Sequence, residues 1–106
     1  MKKQWIGVDL DGTLAKIDGW KGTHHIGEPI QPMVDKVKKL LASGKIVKIM
    51  TARAADADEK TISIIKKWCK THIGQELEIT NKKDMYMVAL FDDKAIRVEK
   101  NTGKLM

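Results

Sequence analysis

The run Ile6–Leu14, IGVDLDGTL, places two carboxylates, Asp9 and Asp11, at the end of an apolar strand-like segment and follows them at once with Gly12 and Thr13. A charged side chain is costly to bury unless an ion or a partner meets it. This strand must therefore end either in open solvent or at a site that needs negative charge. Ile6, Val8 and Leu10 alternate onto one face, leaving Trp5, Gly7 and Asp9 on the other.

The rest of the chain supplies the context for that strand. Residues 12–29 hold Gly12, Gly19, Gly22 and Gly27 without a sustained period, which predicts a long loop of the kind that tends to be functional. After Pro29 and Pro32, Val34, Val37, Leu40 and Leu41 form one helical stripe that Ser43-Gly44 stops. KIVKIMT predicts a second strand covered on both faces at Ile46, Val47, Ile49 and Met50. Over 57–73 a second helix follows, with Asp56 and Glu59 as a reciprocal cap and Ile62, Ile65, Cys69 and Ile73 as its stripe, widened by Ile64 and Trp68. ELEIT is a weaker third strand, Asp84 to Met87 an irregular or short helical piece, and MVALF a fourth strand ending at Asp92-Asp93. AIRVEKNTGKLM suggests one more strand and a turn near Asn101–Gly103. Strands alternating with helices predict an α/β sandwich with a mostly parallel central sheet, in one domain spanning 1–106.

In such sheets the ligand crevice lies beyond the carboxyl ends of the strands. Three strand ends carry polar groups directly after apolar runs: Asp9 and Asp11, Thr51 and Arg53, and Asp92 and Asp93. Four aspartates gathered on one edge repel unless a cation neutralises them, and an all-oxygen set suits Mg²⁺ beside a phosphoryl group.

Several other chemistries find no support in these residues. Cys69 is the single cysteine, so no internal disulfide forms. Cys69 and His72 lack the further ligands of a zinc site, and Cys69 reads as a core thiol. No Gly-Lys-Ser/Thr phosphate loop is present, and DLDG lacks the spacing of a calcium-binding EF-hand. The start MKKQWIGVDLDG meets Asp9 before any signal-peptide run develops, and no stretch approaches the length of a membrane span, so a cytoplasmic location is expected. Twenty Lys and Arg against 14 Asp and Glu leave a net charge of +6, which draws anionic partners but lies within the range that serves solubility. The same applies to the lysines of both helices, each set lying opposite an apolar stripe.

VDLDGTL resembles the first motif of the haloacid dehalogenase-like phosphatase superfamily, IMTAR the second, and LFDDKA the fourth. NKKD offers a third-motif lysine, assigned to Lys83 with Lys82 as its rival. The motifs occur in family order over residues 5–96, and the whole chain resembles small phage and bacterial phosphatases of the superfamily. The resemblance implies a Rossmann-like three-layer sandwich without a cap domain, since neither insertion point has room for one. It also implies a Mg²⁺-dependent phosphomonoesterase. Asp9 would be the nucleophile, Asp11 the general acid and base, and Thr51 and the lysine the phosphate ligands. Asp9, Asp92, Asp93 and the Asp11 carbonyl would hold the metal.

Arg53 could grip a substrate phosphate or carboxylate, or tie its loop to Asp56 or Glu59. In the loop KIDGWKGTHHIGEP, Trp20 could stack on a base or sugar, or simply pin the loop; His24 and His25 read as surface residues. The expected partner is a phosphorylated small molecule or a nucleic-acid end, which leaves a nucleotidase or polynucleotide-end phosphatase open. A receiver-type switch or a nucleic-acid-binding module is the non-enzymatic alternative. Asp11 favours turnover over a switch, which has no use for a general acid.

Overall fold

The computed structural model describes residues 3–106; Met1 and Lys2, at the start of the segment judged for a leader sequence, lie outside them. Four short strands form one parallel sheet. They are β1 (Trp5–Val8), β2 (Val47–Met50), β3 (Glu78–Thr80) and β4 (Met87–Phe91), in the order β3-β2-β1-β4. Helix α1 (Gln31–Ala42) joins β1 to β2, and α2 (Glu59–His72) joins β2 to β3. Because every pairing is parallel, all four carboxyl ends share one edge.

Register decides where the core lies. Ile6 pairs with Val47, Val8 with both Ile49 and Phe91, and Ile49 with Ile79, so these side chains share one face. Both helices pack there: Val34 and Val37 of α1 and Ile65, Trp68 and Cys69 of α2 join Val8, Val47 and Ile49 in one buried cluster. The first two crossovers step across the sheet in the same direction, and crossovers of one hand then place both helices on the same side. A third layer needs a helix in the return from β3 to β4, and residues 81–86 only cross over as a loop. The fold is thus a two-layer α/β arrangement among the described residues, where three layers were expected. The far face carries Trp5, Gly7, Lys48 and Leu90. Trp5 is buried there, with its Nε1 donating to Asp84 Oδ1 at 2.9 Å and its backbone N–H to the Tyr86 carbonyl at 2.9 Å. The Lys48 ammonium sits 4.6 Å from the Trp5 ring centroid and pairs with Glu78 at 3.2 Å.

Other local expectations need correction. Helix α2 is capped by Asp58, whose Oδ1 accepts from the Thr61 N–H at 2.8 Å, and not by the Asp56–Glu59 box. That bond, with the Thr61 hydroxyl, holds the Asp58 carboxyl below its ordinary value. Strand β2 is buried at Val47 and Ile49, while Ile46 is exposed and Met50 half-buried, because the uncovered far face does not shield them. The last segment adds no strand to the sheet. It folds back on itself through the isolated Val98–Leu105 bridge around Asn101 and Gly103, both with positive φ. No helix of the described residues is long and apolar enough to cross a membrane.

The long loop between β1 and α1 is fixed at its base. Lys16 N–H donates to the Glu28 carbonyl at 2.8 Å, and Trp68 Nε1 reaches from α2 to the Gly27 carbonyl at 3.0 Å. A Cβ on Gly27 would fall 1.9 Å from the Lys16 carbonyl oxygen, so only glycine permits this closure. Gly27→Ala should therefore cost more than about 2 kcal/mol in a denaturant titration. A loss below about 0.5 kcal/mol, the scale of an ordinary surface change, would show that the loop base is not built on that approach.

Candidate functional site

The carboxyl edge of the sheet brings the three polar strand ends together. The β1–β4 ladder continues one residue past β1, with Asp9 N–H donating to the Phe91 carbonyl at 2.9 Å, and this sets Asp9 beside Asp92 and Asp93. One oxygen from each of these three aspartates lies within 4.8 Å of the others. Asp9 and Asp92 are half-buried and Asp93 is exposed.

Beyond Asp9 the chain turns tightly. The N–H groups of Thr13, Leu14 and Ala15 all converge on the Leu10 carbonyl, and Gly12 takes φ +87°. A Cβ on Gly12 would sit 2.6 Å from Asp93 Oδ2, so the turn needs glycine both for its backbone angle and to admit that carboxylate. Thr13 then clamps the second loop. Its hydroxyl donates to Asp93 Oδ1 at 3.1 Å and accepts from the Asp93 N–H at 3.1 Å. This pairing explains the buried threonine and was not foreseen from sequence. DGT followed far downstream by DD was the only available signal for it.

The electrostatics follow from crowding. Burial, the hydrogen bond shared with Asp93 and the charge of Asp92 push the Asp9 carboxyl from 3.8 up to about 7. Some desolvation raises Asp93, but its hydrogen bonds with Asp9 and Thr13 outweigh it and leave that carboxyl below the ordinary value. The crowding therefore falls mainly on Asp9, whose protonated form it favours. A hard divalent cation would relieve the same crowding, and three carboxylate oxygens at one point are a donor set that fits Mg²⁺.

Asp11 points elsewhere. Both of its oxygens accept from Arg53, Oδ2 from Nε at 2.8 Å and Oδ1 from Nη2 at 2.7 Å. Arg53 Nη1 donates to the Thr23 carbonyl at 2.9 Å, and Trp20 lies over the guanidinium with 4.8 Å between ring centroid and Cζ. The Arg53 side chain is only 6% exposed, so the guanidinium is committed to Asp11 and the loop, and pairs with neither Asp56 nor Glu59. Trp20 remains 60% exposed above it. Thr51 is buried, and its hydroxyl accepts from the Arg53 N–H at 3.1 Å, which leaves the O–H proton for a group in the cleft.

A cleft of about 710 Å³ runs over these groups and is lined by Asp9, Asp11, Thr51, Asp92 and Trp20, among others. Lys82 and Lys83 are exposed on the 81–86 crossing and do not line it; Asn81 and Lys94 do. Lys94 was not singled out from sequence. A second hollow of about 380 Å³ shares Asp11, Trp20 and Arg53 with that cleft and is lined further by Lys16 and Glu28. His25 borders that hollow, and His24 is exposed. Cys69 is fully buried, and burial pushes its thiol up to about 11, which suits a packing residue. His72 lies against Trp68 with 4.7 Å between ring centroids.

No family model matches the sequence, and no curated protein matches it. A solved structure of a conserved protein from Bacteroides thetaiotaomicron is similar, with a TM-score of 0.62 and 22% identity over 89% of this chain and 78% of that one. At that identity the likeness establishes a shared fold.

The raised Asp9 carboxyl has a definite sign in stability. The folded protein binds this proton more tightly than the unfolded chain, so without metal the Asp9 contribution falls as pH rises from 3.8 to about 7 and is flat above. In a chelating buffer, Asp9→Asn should therefore gain melting temperature relative to the parent progressively across that interval. A difference between the two proteins that does not vary with pH would contradict the crowding at Asp9.

Proposed function

We propose that the protein is a Mg²⁺-dependent phosphomonoester hydrolase of the haloacid dehalogenase-like type, working through an aspartyl-phosphate. The observation that carries this reading is the convergence of Asp9, Asp92 and Asp93 at the carboxyl edge of a parallel sheet, with Asp9 and Asp92 lining one cleft with Asp11 and Thr51. A Mg²⁺ ion held by Asp9, Asp92, Asp93 and the Asp11 carbonyl would offset the charge of an incoming phosphate.

An oxygen of Asp9 attacks phosphorus and the ester P–O bond breaks. Asp11 protonates the departing alkoxide. The same carboxylate then takes a proton from water as that water attacks phosphorus, which breaks the bond to Asp9 and releases inorganic phosphate. Thr51 donates its hydroxyl to a phosphoryl oxygen. Arg53 acts on Asp11: two guanidinium bonds fix the carboxylate at the cleft wall, and one must be given up whenever an Asp11 oxygen carries the proton. Among the described residues no separate domain covers the cleft, so the reading extends to bulky substrates such as nucleotides or polynucleotide ends.

Release of phosphate from an aryl phosphate should require Mg²⁺ and fall roughly a thousandfold or more in Asp9→Asn, as expected for loss of a covalent nucleophile. Hydrolysis that persists in a chelating buffer, or that survives Asp9→Asn, would reject this mechanism. A protein that takes up phosphate on Asp9 without releasing it would be a switch instead.

A further inference from the structure

A phosphoryl group bound among carboxylates needs a cation besides the metal to meet its remaining oxygens. Arg53 and Lys94 are the only Lys or Arg residues lining the main cleft among the described residues. Arg53 already spends three N–H groups on Asp11 and Thr23, with its side chain nearly all buried. Lys94 differs in each respect. It is exposed, and its ammonium is held by no hydrogen bond or close ion pair among the described residues, although its charge acts on the neighbouring Asp93. Its backbone is nonetheless fixed, since the Lys94 N–H donates to Asp92 Oδ1 at 2.8 Å.

We infer that Lys94, directly after the aspartate pair, is the residue whose ammonium binds the substrate phosphoryl oxygens, the role that the family resemblance implied for Lys83, with Lys82 as its rival. The inference deepens the phosphatase reading and rests on it. Position explains the exchange. Residues 81–86 leave β3 to cross the far face and draw Lys82 and Lys83 away from the cleft, whereas the turn after β4 stays at the carboxyl edge. The Asp92–Lys94 backbone bond places a lysine stem one short turn from the acidic cluster. Three rotatable donors on a flexible stem then suit an anion whose oxygens shift during transfer.

Lys94→Ala keeps the backbone bond to Asp92 and removes an exposed side chain, so folding should be unchanged. With Mg²⁺ present, it should weaken binding of inorganic phosphate by about tenfold or more, the loss of one charge-assisted hydrogen bond. The kcat/KM for an aryl phosphate should fall by about a hundredfold. Lys94→Arg should restore part of both, and Lys83→Ala and Lys82→Ala should leave both within about twofold of the parent, as for a distant surface charge. An active parent with Lys94→Ala unaffected, or with Lys83→Ala or Lys82→Ala impaired in its place, would overturn the inference and leave the phosphatase reading standing. A parent that binds phosphate through Lys94 but hydrolyses nothing would keep the anion site and overturn the reaction. A parent that does neither would overturn both.

Discussion

The hydrogen bond from the Asp9 N–H to the Phe91 carbonyl joins two segments far apart in sequence and determines what stands at the top of the sheet. It continues the parallel ladder past Val8 and Phe91, the last paired residues of β1 and β4, so the next residues of both strands emerge side by side. Those residues are Asp9 and Asp92. An antiparallel pairing of the same two strands would send the carboxylates to opposite ends. The crowding of Asp9 against Asp92 and Asp93 follows from this choice of direction.

Having brought like charges together, the fold restrains them by separate means. Gly12 clears the space that Asp93 occupies, and Thr13 holds Asp93 through both its backbone and its carboxylate. Asp11, two residues from Asp9, is drawn off by Arg53, which the loop and Trp20 cover. Two acidic groups from one short motif thus meet different surroundings. One is crowded by carboxylates and holds a proton near neutrality, and the other lies against a guanidinium.

Much of this could be read from the chain because apolar runs followed by charge are local features. The strand ends at Asp9, Thr51 and Asp92 and most of both helix stripes survive in the structure for that reason, although Ile62 and Ile64 of α2 stay outside the core cluster. What escaped depends on distance or on subtle competition. Asp56 and Asp58 both precede α2, and choosing between them requires knowing which one has extended backbone angles. The missing third layer turns on residues 81–86, where the sequence left an irregular connection open but could not show it crossing beneath Trp5. Arg53 had nearby acidic candidates in sequence, yet its partner comes from the segment after the neighbouring strand, 42 positions away. Lys94 is one of twenty Lys and Arg residues, and only the sheet edge distinguishes it.

The strand order also bears on how the molecule assembles. β1, β2 and β3 are neighbours joined by helices and can associate as the chain proceeds, but β4 must return across the sheet to reach β1. Thr13 and Asp93 are 80 positions apart, and closing so long a loop is among the slower events in folding. Repulsion between Asp9 and the Asp92–Asp93 pair is felt only where β4 lies beside β1, so it weighs on that pairing alone. The acidic cluster thus needs β4, whereas the Asp11–Arg53 pair and Thr51 on the same cleft belong to the segments after β1 and β2.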